Sequence, residues 1–120
     1  MALIAAAAVV VVALLHAYFL VLEMFLWQRD STRKTFETSV EFARDSAKLA
    51  ANQGLYNGFL FAGLIWGLVA YGPKDGRAII GFFLACVIVA GLYGAATVNR
   101  RILLVQAVPA AIAIALISLA

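Results

Sequence analysis

Charge is what this 120-residue chain has least of: Asp, Glu, Lys and Arg make up 12% of it, against 66% hydrophobic residues. A soluble domain of this size cannot hide so much apolar surface in its core. The single cysteine, Cys86, stands in the middle of an apolar run, which excludes a disulfide framework and any CxxC redox or zinc motif. No metal-ligand set, Ser-His-Asp constellation or phosphate-cradling glycine loop is present either, and nothing in the sequence implies a cofactor. A net charge of +3, scattered over connecting segments, lacks the basic face that nucleic-acid binding needs. The N-terminal stretch has no leading positive charge and stays apolar past the roughly 7 to 15 residues of a signal-peptide core. It reads as a retained first helix.

What is there is a pattern of long uncharged runs. They span 1–22, 49–73, 78–99 and 102–120, which is 22, 25, 22 and 19 residues, each near the ~20 that cross a bilayer as a helix. The expected fold is all-α, a four-transmembrane-helix bundle forming a single integral membrane domain over 1–120. Its helices are placed at about 3–27, 39–71, 78–98 and 102–120, with a partly helical cytoplasmic first loop. Arg29, Arg33, Lys34, Arg44 and Lys48 between the first two spans, with Arg100 and Arg101 between the last two, put seven basic residues on one side. Lys74 and Arg77 are the two on the other. Basic loops are held in the cytoplasm, so both termini are expected outside it.

Within the first loop, Thr38 followed by Glu41 has the spacing of a capping box. From Ser39 onward nothing breaks the pattern, and residues 39–71 read as one long helix or two nearly continuous ones. Gly72, Pro73 and Gly76 then mark a tight turn. Pro109 is expected to kink the fourth helix, because it removes one backbone hydrogen bond and crowds the preceding turn.

Polar groups inside the spans are the candidates for function, because each is costly in hydrocarbon. His16 and Glu23 are seven residues apart, within about 20° of one helical face, and a helix continued to Trp27 adds that residue to the stripe. Either His16 and Glu23 serve a pocket, or Glu23 reaches the interface or pairs with an Arg of the first loop and His16 donates one interhelical hydrogen bond. On the second helix Asn52, Gln53, Tyr56 and Asn57 fall within an arc of roughly 140°. Gly54 and Gly58 lie on the adjoining face, and Gly63 and Gly67 on the opposite side; small residues at this spacing let helices approach closely. One pair suits packing within the bundle. The other is left for a further helix of the bundle or for a second copy in a homodimer. Tyr93 and Thr97 share a face with Cys86 on the third helix, and Gln106 lies in the fourth. By depth these groups share the cytoplasmic half, and the expected arrangement is a polar cavity open to that side beneath a dry outer plug.

The strings LHAYFLVLEMFLW at 15–27 and AANQGLYNGFLFAGLIWGL at 50–68 resemble a family of small bacterial membrane proteins, domain of unknown function 1304. The resemblance covers nearly the whole chain and implies a four-helix protein of the bacterial cytoplasmic membrane with no assigned activity. Three functions follow from the residues. The first is a site that binds or transforms a small lipophilic molecule entering among membrane lipids, with His16 and Glu23 as proton-exchanging groups. There Trp27, Asn52, Gln53, Tyr56, Asn57, Tyr93, Thr97 and Gln106 line the ligand. The second is a proton-coupled exporter similar to the small multidrug transporters, which share the length and the single membrane Glu. The seven-to-two basic asymmetry and the NQGLYNG segment are unlike that group. The third is an assembly partner in a larger membrane complex, docking through glycine faces.

Overall fold

The computed structural model describes residues 1–120, and every regular element in it is helical. They are α1 (Ala2–Met24), α2 (Asp30–Phe36), α3 (Val40–Asp45), α4 (Ala47–Asp75), α5 (Arg77–Thr97), a π-helical turn (Leu103–Ala107) and α6 (Val108–Leu119). Three of these, α1, α4 and α5, are long and apolar enough to cross a membrane. The apolar segment Leu103–Leu119 is shorter.

The helix ends follow from local chemistry. α1 stops at Met24 rather than continuing to Trp27: the amides of Phe25 and Leu26 both turn back to the Val21 carbonyl, at 3.0 and 3.2 Å. Trp27 is therefore off the helical stripe on which periodicity placed it. α2 was not anticipated. It carries Asp30 in its first turn and Arg33 and Lys34 in its last, the arrangement that complements the helix dipole. It ends where Glu37 adopts a left-handed φ of 57°.

Thr38 consequently lies between two helices and does not cap. Ser39 takes that place one residue later, its hydroxyl accepting from the Phe42 amide at 3.0 Å. The long second helix is interrupted once, at Ser46, and there the backbone stays nearly helical: Ser46 N–H reaches the Phe42 carbonyl and Ala50 N–H reaches Ser46, both at 2.9 Å. α4 breaks at Gly72, whose φ of 88° is open only to glycine. Pro109 sits at the start of α6, where a missing N–H costs little, and the distortion expected of it appears just before it as the π turn.

The chain divides into two compact units, one formed by Met1–Leu14 with Leu60–Ala120 and the other by Leu15–Phe59. The core of the first is entirely apolar. Ala5, Val9, Val12 and Ala13 of α1 meet Leu64 of α4, Ile80, Leu84 and Val87 of α5, and Ala110, Ala113 and Ile117 of α6. Gly63 and Gly67 of α4 seat the side chains of Phe83 and of Ile79 with Ile80, and Gly91 of α5 seats Ala107. Arg77 closes this unit by donating to the carbonyls of Ile117 and Ala120, at 2.9 and 2.5 Å, at the negative end of α6. Around the core the surface is apolar as well: Leu3, Val69, Phe82, Val89 and Leu104 are all exposed.

Candidate functional site

The second unit, Leu15–Phe59, is built differently, because it contains every buried polar residue of the chain: His16, Glu23, Thr32 and Asn57. α1 and α4 run antiparallel here. Leu20 lies against Gly58, while Glu23 and Met24 lie against Gly54, where an added methyl group would come within 2.7 Å of Met24 Cγ and 3.2 Å of the Leu20 carbonyl oxygen. That close approach is what brings the polar side chains of α4 into reach of α1.

Glu23 is 3% exposed. Its Oε2 accepts from Gln53 Nε2 at 2.8 Å and its Oε1 from Asn57 Nδ2 at 2.5 Å. Both oxygens are thus held by neutral amides, one turn of α4 apart. His16, two turns back along α1, is fully buried and meets the Phe19 ring edge-on, with centroids 5.6 Å apart. At 1.5 Å per residue it lies roughly 10 Å from Glu23 along the axis.

An open cleft of about 300 Å³ adjoins Glu23, lined by the continuous stretch from Glu23 to Arg29 and by Ala47. Trp27 is fixed at its rim from two sides. Its Nε1 donates to Ser46 Oγ at 3.1 Å, and its ring packs on Phe36 with centroids 5.0 Å apart. Ser46 in turn donates to the Phe42 carbonyl at 2.6 Å, so the α3–α4 break supplies the acceptor that holds the indole.

The other candidates lie elsewhere. Asn52 and Tyr56 are exposed on the far side of α4, where Tyr56 packs on Phe59. Tyr93 is 72% exposed, on a shallow apolar groove along α5 with Phe82, Cys86 and Val89. Thr97, also exposed, returns its hydroxyl to the Tyr93 carbonyl at 2.7 Å. Gln106 is half-buried in the π turn of the first unit. Within the second unit, the structure brings together Glu23 of α1 with Gln53 and Asn57 of α4. Periodicity gave directions around each helix but not which direction faced protein.

Two features of this unit were not anticipated. Ser46 became visible only with the helix break, and Thr32 of α2 is 1% exposed with its hydroxyl oxygen unpaired.

Among known proteins, the family profile described as "Protein of unknown function (DUF1304)" matches residues 10–118. An uncharacterized protein, YpaA, from Lactococcus lactis subsp. lactis (strain IL1403) is 34% identical over 97 residues, covering 79% of this chain and 80% of its own length. No solved structure matches.

Proposed function

The chain belongs to the DUF1304 family of proteins of unknown function, and from that premise we propose a four-span bacterial cytoplasmic-membrane protein that binds a small lipophilic molecule at Glu23. One observation carries this reading: Glu23, a residue lining an open cleft, has its carboxyl group buried and gripped on both oxygens by the amides of Gln53 and Asn57. A carboxyl in such surroundings costs several kcal/mol unless its neighbours compensate. A chain that needed only helix packing there is better served by Leu.

The fourth span in this reading is Leu103–Leu119, whose 17 residues meet the lower limit of about 17 for a crossing helix. Support comes from Ala110, Ala113 and Ile117, which pack into the apolar core while Leu104, Ile112 and Leu119 face outward. In this reading both termini lie outside the cytoplasm and the cleft lies in the cytoplasmic half, open to lipid-soluble molecules of the inner leaflet; the seven-to-two basic asymmetry of the connecting segments supports it. An assembly role is less well supported. Both glycine pairs of α4 are filled by side chains of the chain itself, so a homodimer or a larger complex needs some other surface.

The test is mass spectrometry of organic extracts from the purified full-length protein. The wild type is expected to retain a small lipophilic molecule in stoichiometric amount that Glu23→Gln and Asn57→Leu lose. Identical extracts from all three, each folded by circular dichroism, would overturn the reading.

A further inference from the structure

The end of α1 and the start of α4 show the same order of residues, read in opposite directions. Just past α1 stands Phe25, 70% exposed, and four residues later comes the exposed Arg29. Near the start of the antiparallel α4 stands Leu49, 75% exposed, directly preceded by the exposed Lys48. On both strands of the chain the large apolar side chain lies toward the apolar span and the cation toward its charged end. Trp27 ties the two segments together by donating to Ser46 Oγ at 3.1 Å, and Arg29 and Ala47 line one cleft. Arg29 and Lys48 therefore belong to one rim.

Neither cation has a carboxylate of its own. Asp30, next to Arg29, pairs with Arg33, and Asp45, three residues before Lys48, pairs with Arg44. Glu23 gives both oxygens to the amides of Gln53 and Asn57. Two cations without counter-charge thus stand beside two apolar side chains without cover.

We propose that this rim holds an anionic phospholipid, its phosphate on Arg29 and Lys48 and its acyl chains over Phe25 and Leu49. This goes beyond the reading above, because it concerns the exposed rim and needs nothing of the Glu23 carboxyl. A soluble anion would satisfy the cations and leave Phe25 and Leu49 uncovered, whereas a neutral hydrocarbon would do the reverse. A zwitterionic lipid brings an ammonium that opposes Arg29 and Lys48. One molecule with a net negative head on hydrocarbon chains satisfies all four residues. Guanidinium takes two phosphate oxygens at once, and the lysine ammonium adds a point charge. Trp27, an apolar ring with one N–H, suits the headgroup depth between them.

The test is native mass spectrometry of the full-length protein in neutral detergent, titrated with dioleoylphosphatidylglycerol and with dioleoylphosphatidylcholine. The chains are identical, so the comparison reads the head alone. One phosphatidylglycerol is expected to bind about tenfold or more tighter than phosphatidylcholine. Arg29→Gln and Lys48→Gln should each weaken it about fivefold, the ratio that corresponds to one basic residue at an anionic lipid surface. Lys74→Gln makes the same charge change at the far end of α4 and should leave the affinity unaltered. All three substituted side chains are exposed, so the variants should fold, which circular dichroism checks. Inorganic phosphate added at constant ionic strength should not displace the lipid. Equal affinity for the two lipids, no loss in Arg29→Gln and Lys48→Gln, an equal loss in Lys74→Gln, or displacement by inorganic phosphate would each overturn the inference.

Discussion

Asn57 and Asn52 sit five residues apart on the same helix with the same side chain, and they should respond to substitution very unequally. Asn57 is 8% exposed and donates to Glu23, so Asn57→Leu strips a buried carboxyl of one of its two donors. The expected cost is about 1 to 3 kcal/mol. Asn52 is exposed, and Asn52→Leu should change stability by less than about 0.5 kcal/mol. Unfolding in mixed micelles with increasing dodecyl sulfate measures both, and equal losses would refute the assignment. Thr32 gives a prediction of the other sign. Its hydroxyl is buried without a partner, so the isosteric Thr32→Val removes a desolvation penalty and should stabilise by about 1 kcal/mol in the same assay.

At this scale the sequence was partly legible. A carboxyl and an amide standing in apolar runs identify themselves by cost alone. The wheel placed Gln53 and Asn57 at about 100° and 140° and the glycines at about 200° and 240°. The structure puts both sets against α1. Asn52 and Tyr56, at about 0° and 40°, turn outward because they lie farthest from the glycines. Proximity to the glycine face, rather than polarity by itself, was the signal that sorted them.

Among the elements, the close contacts carry the clearest predictions. Gly91 of α5 lies so near the π turn that an added Cβ would come within 2.8 Å of the Ala107 backbone nitrogen and Cβ. Backbone cannot move aside as a side-chain tip can, so Gly91→Ala should cost about 1 to 3 kcal/mol. Gly81→Ala on the same helix is the control, since its nearest neighbour is Ile117 Cδ1 at 4.0 Å. Retained stability in Gly91→Ala would contradict this packing.

The long helices were legible because apolar runs bounded by charge have few alternatives. The short ones were not. α2 is seven residues, DSTRKTF, with too few apolar positions to show a period. Whether Thr38 or Ser39 capped the next helix depended on the left-handed turn at Glu37, which spacing cannot reveal. The π turn likewise left no mark beyond Pro109, which fixed where the helix would deviate but not how.

For the molecule as a whole, the two units divide its work. An apolar core of α1, α4, α5 and α6 residues occupies one, and all buried polar groups occupy the other. The proposed orientation puts Thr35 of α2 in the cytoplasm and Lys74 outside it. With Cys86 replaced by Ser, a membrane-impermeant maleimide applied to intact cells should modify Lys74→Cys and leave Thr35→Cys unmodified until the cells are opened. The reverse pattern would invert the topology. Composition alone separated membrane from water at this scale, but it could not count spans, because Leu103–Leu119 lies at the boundary of length.

The central claim is that Glu23 is a carboxyl inside the membrane at the edge of a ligand site, and carbodiimide labelling read by peptide mass spectrometry tests it most directly. In native membranes a hydrophobic carbodiimide is expected to modify Glu23, and prior addition of the bound molecule should protect it. A water-soluble carbodiimide should modify the exposed Glu37 and Glu41 and spare Glu23. Labelling of Glu23 by the water-soluble reagent as fast as that of Glu37 and Glu41 would contradict the account.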